Sequence, residues 1–176
     1  MKERSFKTAC GNKIQVTDRS VKYMQNYIKT LVLLEEAVDK ITLPSNEDEL
    51  CTTIDFGREI GKTDCLRVPR NTRLNFAVRS NKELCQTPLR VVMGAERQST
   101  SKFTVIASNK NGVWVLRIAY IGPLAPRMPN DPYFRDKRDT PEFKEAFNFW
   151  KEHALLWDYE TMGIPYQSTW NEVLRK

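Results

Sequence analysis

Histidine is almost missing from this 176-residue chain, which has one, and cysteine is sparse, with four residues at positions 10, 51, 65 and 85 and no C-x-x-C spacing. One histidine and cysteines 41, 14 and 20 apart cannot complete a zinc-finger pattern, so free, mostly buried thiols are expected and no metal or cofactor is. No apolar run reaches 18 residues, and the first 15 hold four Lys/Arg without an apolar stretch. Both observations argue against a membrane span and a secretory signal, and for a cytoplasmic protein. Internal repeats and low-complexity tracts are lacking as well.

What is present is enough apolar material for one compact core: 40% hydrophobic residues against 28% charged, which predicts a single domain over 1–176. The formal net charge is +6, and it is unevenly spread: residues 57–120 hold 12 Lys/Arg against 4 Asp/Glu, while each flank is at −1. A polyanionic partner, RNA or another nucleic acid, is the class of ligand that such a basic centre suits.

Val21, Met24, Ile28, Leu31, Leu34, Val38 and Ile41 recur every three or four residues, which predicts a helix over 18–40 within an N-terminal part, 1–45. Thr17 and Asp18 can cap its start, and Pro44 follows its end. From 46 to 122 the period changes to two. Breakers at Gly57, Gly61, Pro69, Asn81, Pro88 and Asn111-Gly112 delimit strands near 51–56, 59–67, 72–79, 89–95, 102–108 and 113–121. Asn111-Gly112 favours the positive φ angles of a two-residue hairpin turn, so the last two strands should pair antiparallel. Prolines 123, 126, 129 and 132 mark a rigid connection over 123–139. Thr140-Pro141-Glu142 then opens a C-terminal helix carrying Phe143, Phe147, Trp150, Ala154 and Trp157, with a tail to 176. The expected fold is α+β: a single antiparallel β-sheet flanked by an N-terminal and a C-terminal helix.

Several side chains are candidates for chemistry. Alternation over 72–79 sets Leu74, Phe76 and Val78 against Arg73, Asn75, Ala77 and Arg79, and Arg90 from the next strand can join the second face. Guanidinium forks fixed on strands suit phosphate oxygens. Arg117 lies within Val113–Tyr120, where every other side chain is apolar or aromatic. A buried cation there needs an anion, either an internal carboxylate such as Asp55 or Glu59 or a substrate phosphate. Glu96-Arg97-Gln98-Ser99-Thr100-Ser101-Lys102 concentrates hydroxyls, a carboxylate and two cations: a polar rim in which Arg97 and Lys102 hold a phosphate and Thr100 or Ser101 bonds it, or else an ordinary Ser/Thr turn. His153 is the side chain any acid–base mechanism near neutrality would use first, and Tyr120 is a further proton donor or stacking ring. Either of them can equally serve packing alone.

Three stretches carry a resemblance: Thr53-Ile54-Asp55-Phe56-Gly57-Arg58-Glu59-Ile60-Gly61-Lys62-Thr63-Asp64, Ala119-Tyr120-Ile121-Gly122, and Phe149-Trp150-Lys151-Glu152-His153-Ala154-Leu155. Together they resemble a group of small bacterial and phage proteins, most of them without an assigned activity. More loosely, the helical start, the meander and the Ser/Thr segment before a strand are similar to the barnase, EndoU, colicin and RelE group of metal-independent ribonuclease toxins. That resemblance implies transesterification at an RNA phosphodiester. His153 or Glu96 would move protons, Arg117 with Arg97 or Arg79 would stabilise the phosphorane, and Thr100 or Ser101 would position the phosphate. It implies a protein partner too, an antitoxin or a host target. Related phage nuclease domains place a histidine on the first helix where this chain has Tyr23-Met24-Gln25-Asn26-Tyr27. A non-catalytic module binding nucleic acid or protein, such as an inhibitor, is the alternative. Gln98-Ser99-Thr100-Ser101 also resembles the Ser-Thr-Ser element of arginine-type ADP-ribosyltransferases, with Arg79 as the first-strand arginine. Their Glu-x-Glu pair is replaced by nothing closer than Asp158-Tyr159-Glu160.

Overall fold

The computed structural model describes residues 4–8, 11–22, 24, 26–79 and 87–175. Cys10, Cys85, Asn81, Tyr23 and Gln25 lie outside them. The chain runs through β1 (Arg4–Lys7), β2 (Lys13–Val16), α1 (Asp18–Lys22), α2 (Tyr27–Ala37), β3 (Glu49–Asp55), β4 (Gly61–Thr63), β5 (Cys65–Arg67), β6 (Asn75–Ala77) and β7 (Leu89–Val92). It continues through β8 (Gln98–Thr100), β9 (Lys102–Lys110), β10 (Val113–Ile121), α3 (Pro141–Glu152), β11 (His153–Leu156), β12 (Tyr166–Gln167) and α4 (Trp170–Arg175). The expected single antiparallel sheet between two helices is therefore overturned: twelve strands form three sheets, and the four helices among the described residues are short. Two pairings, β2 with β10 and β7 with β11, are parallel. No helix of the described residues is long and apolar enough to cross a membrane.

Two compact units divide the chain, each built from two segments: Met1–Thr63 with Ser99–Leu124, and Asp64–Gln98 with Ala125–Lys176. Each unit carries a net +3, so the basic centre of the sequence is shared between them in space.

In the first unit the strand order is β1-β2-β10-β9-β3. Asn111 and Gly112 turn β9 into β10 with φ of 54° and 84°, and Gly112 N–H donates to Asn109 Oδ1, as the Asn-Gly signal predicts. The predicted long helix is broken instead by Asn26 in the left-handed region, φ 50°, into α1 and α2. Thr17 Oγ1 does accept from Ser20 N–H at its start. Leu31, Leu34 and Ala37 of α2 pack on Phe103, Val105 and Leu116 of the sheet, while Ile28 is left 76% exposed. Each such Leu, Val or Phe side chain contributes about 1.5–3 kcal/mol when fully buried.

In the second unit the order is β12-β6-β7-β11-β5. Thr140 Oγ1 caps α3 at Phe143 N–H with Pro141 in the first turn, as expected, but the helix ends at Glu152. His153 turns extended, φ −130° and ψ 151°, and the chain continues as β11 between β5 and β7. Ala154 therefore belongs to a strand and not to the helical stripe. Trp150, Phe76 and Trp170 centre the core of this unit.

Candidate functional site

The feature with the most chemical potential in the second unit forms where α3 gives way to β11, beside edge strand β5. Arg67 stands directly opposite His153 in the antiparallel β5–β11 pair, and Val68 N–H donates to Glu152 O at 2.8 Å. On the outer side of β5 the Gln98 carboxamide takes the place of a neighbouring strand: its Oε1 accepts from Arg67 N–H at 3.1 Å and its Nε2 donates to Arg67 O at 3.2 Å. Pro69 then opens a turn closed by Thr72 N–H to Pro69 O, which lifts Arg70 alongside. The backbones that carry Arg67, Arg70 and Glu152 are all held by hydrogen bonds or proline geometry.

Both guanidinium groups converge on Glu152. Arg70 donates to Oε1 from Nη2 at 2.6 Å and from Nε at 3.0 Å, and Arg67 Nη2 lies 3.6 Å from Oε2. They border an open hollow of about 560 Å³ whose other walls are Val68, Pro69 and Gln98. The Arg70 hydrogen bond, with the charges of Arg70 and Arg67, holds the Glu152 carboxyl below its ordinary value. His153 stacks on Phe149 with centroids 3.9 Å apart and planes at 4°, and its Nδ1 lies 2.9 Å from Phe149 O. A carbonyl only accepts, so Nδ1 carries a proton, and in the neutral ring Nε2 is left as an acceptor.

The remaining candidates divide between the units. In the second, Arg90 belongs to no basic face. It pairs directly with Phe76 across β6 and β7, which puts its side chain on the apolar side, where it is 1% exposed and donates to Trp150 O. Desolvation pushes its guanidinium pKa below the ordinary value. Ala77, expected on the same basic face, is fully buried. Arg73 is exposed and donates to Gln167, and Arg79 joins Met162 through a main-chain bridge. Arg97 pairs with Asp64, and Glu96 is exposed in the loop before β8.

In the first unit, Arg117 is not buried. The register of β9 and β10 shifts between Leu116 and Ile118, so Arg117 is the bulged residue, turns outward and pairs with Glu49 at 2.6 Å rather than with Asp55 or Glu59. Lys102 bonds Asp55 at 2.6 Å, and with Ser101 and Gly57 N–H it holds that carboxyl far below its ordinary value. Thr100 Oγ1 accepts from Lys102 N–H, the Ser/Thr turn foreseen as the plain alternative. Tyr120 is half-buried on β10 opposite Thr104.

Sequence reasoning singled out His153 but missed Arg67, Arg70 and Glu152 as a group. The available signals were the Arg-Val-Pro-Arg run, Arg67 to Arg70, and the Glu152-His153 pair, yet 82 residues separate Arg70 from Glu152 and nothing in the sequence joins them. Of the cysteines, Cys51 is exposed and Cys65 half-buried, against the expectation of mostly buried thiols. Among the described residues no group of three or more His, Cys, Asp or Glu could hold a metal ion. No protein-family model matches the chain, and no curated protein or solved structure shows significant similarity to it.

Proposed function

We propose that the protein is RNA-directed and that the Arg67–Arg70–Glu152 hollow is where it holds a phosphate of the strand. The observation that carries this reading is the convergence of two arginine side chains, 75% and 85% exposed, on one carboxylate. Guanidinium groups arranged around a carboxylate present to solvent the donor geometry that phosphate oxygens use. The net +6 of the chain supplies the long-range attraction. Phosphate contacts release counterions, so the affinity for a short RNA, read by fluorescence anisotropy, should fall steeply with salt. Arg67→Ala and Arg70→Ala should each weaken binding and lower the log–log salt slope by about 1. An affinity that does not change between low and physiological salt would overturn this reading, and equal binding of DNA of the same sequence would replace RNA by nucleic acid at large.

The His153 tautomer favours a second reading, a metal-independent ribonuclease. An imidazole oriented by its Nδ1 on Phe149 O, next in sequence to a carboxylate that faces two arginines, has the parts for transesterification. The 2′-hydroxyl would lose its proton to the Glu152 carboxylate and attack the adjacent phosphorus. The 5′-oxygen would leave with a proton from Nε2 of the His153 ring, once that nitrogen has accepted one from solvent, giving a 2′,3′-cyclic phosphate, while Arg67 and Arg70 stabilise the phosphorane. Cleavage should persist in EDTA, need the 2′-hydroxyl and be lost in His153→Ala and Glu152→Gln. Cleavage that survives in both variants would exclude it.

A further inference from the structure

The way Glu152 divides its oxygens says what kind of phosphate the hollow would prefer. Oε1 is taken by Arg70 and Oε2 faces Arg67, so one singly charged, two-oxygen group already spans both guanidinium groups. An internal phosphodiester offers the same: two non-bridging oxygens and one negative charge. It would have to displace a carboxylate tethered at high effective concentration while bringing no more charge than that carboxylate. A phosphate monoester is different. Above its second pKa, near 6, it carries close to two negative charges and three free oxygens. With Glu152 swung away, the arginine pair presents two positive charges, which a dianion neutralises and a monoanion does not. The Glu152 side chain is 29% exposed and its main chain is fixed separately through Val68, so it can leave the arginines without disturbing the strand.

Resting on the RNA-directed reading above, we propose that this hollow is a terminal-phosphate site: it takes the 5′- or 3′-phosphate monoester end of an RNA strand in preference to an internal phosphodiester, with Glu152 as the resident that the monoester displaces.

The test uses the full chain and 2′-O-methyl oligonucleotides of one sequence, which cannot undergo transesterification, carrying a 5′-phosphate, a 3′-phosphate or hydroxyls at both ends. One phosphorylated form should bind about tenfold more tightly than the hydroxyl form at pH 7.5, and inorganic phosphate should erase that advantage. Arg70→Ala, at an exposed position and checked for an unchanged melting temperature, should bring the three oligonucleotides to the same affinity. Glu152→Gln should tighten the hydroxyl form more than the phosphorylated ones and so narrow the gap. Equal, salt-dependent binding of all three by the unaltered protein overturns the terminal-phosphate site and leaves the RNA-directed reading standing. A preference that survives Arg70→Ala overturns the site as well. Absence of binding to any of them overturns both.

Discussion

Arg90 donates from Nη1 to the main-chain carbonyl of Trp150 inside the second unit, and its Nη2 has no partner among the described residues. No carboxylate among those residues pairs with this buried cation, so its charge brings a desolvation cost that no ion pair among the described residues offsets. Arg90→Met keeps most of the volume and removes the charge. Its unfolding midpoint should match or exceed that of the parent, whereas Arg90→Ala leaves a void and should cost about 2–5 kcal/mol. Scanning calorimetry of both variants checks the ordering, and equal losses would contradict it.

Gly112 and Gly122 both have positive φ, 84° and 134°, but differ in surroundings. A Cβ at Gly112 would meet open space, while one at Gly122 would lie 2.6 Å from Thr63 Oγ1. Gly112→Ala should therefore cost about 1 kcal/mol from backbone strain alone, and Gly122→Ala about 1–3 kcal/mol more through overpacking. Denaturant midpoints of the two variants decide it.

Acid should expose the grip on Asp55. Lys102, Ser101 and Gly57 N–H depress its carboxyl below the ordinary 3.8, so the unfolded chain takes up the proton first as pH falls. The stability that this carboxylate contributes is complete above 3.8 and is lost on descent towards the lowered folded-state value. Asp55→Asn should be less stable than the parent at neutral pH, and the difference should shrink steadily in melts taken below pH 4. A constant difference down to pH 2 would show that the charge is not its origin.

Burial pushes the Cys65 thiol up to about 11, so little thiolate exists there at pH 8. Alkylation followed by peptide mapping should label the exposed Cys51 first and Cys65 only as the fold opens. Equal labelling rates in the folded protein would contradict the burial.

Short-range signals were readable in the sequence: the Asn111-Gly112 hairpin, the Thr140 cap and the two nine-residue strands it was possible to place from alternation all depend on neighbouring residues. What failed depends on distant partners. Lys13-Ile14-Gln15-Val16 was not placed as a strand, and it becomes one by pairing with β1 on one side and with the distant Trp114 and Val115 on the other. His153–Leu156 has helix-favouring Ala and Leu, and becomes a strand because Leu66 and Val91 flank it. Arg90 and Arg117 were each placed on the wrong side, the first by strand register and the second by a bulge, neither of which leaves a local mark. The same holds for the candidate site: His153 was singled out by its residue type alone, whereas Glu152 is chemically interesting only because a turn 82 residues away lifts Arg70 beside it.

The interleaving of the two units restricts how the protein can be made or cut. Residues 1–63 supply three strands of the five-stranded sheet of the first unit, but β3 reaches β2 only through β9 and β10, which emerge from the ribosome after all of residues 64–98. The nascent chain must therefore carry an incomplete first sheet until about residue 124 is free. No single proteolytic nick can release an autonomous half.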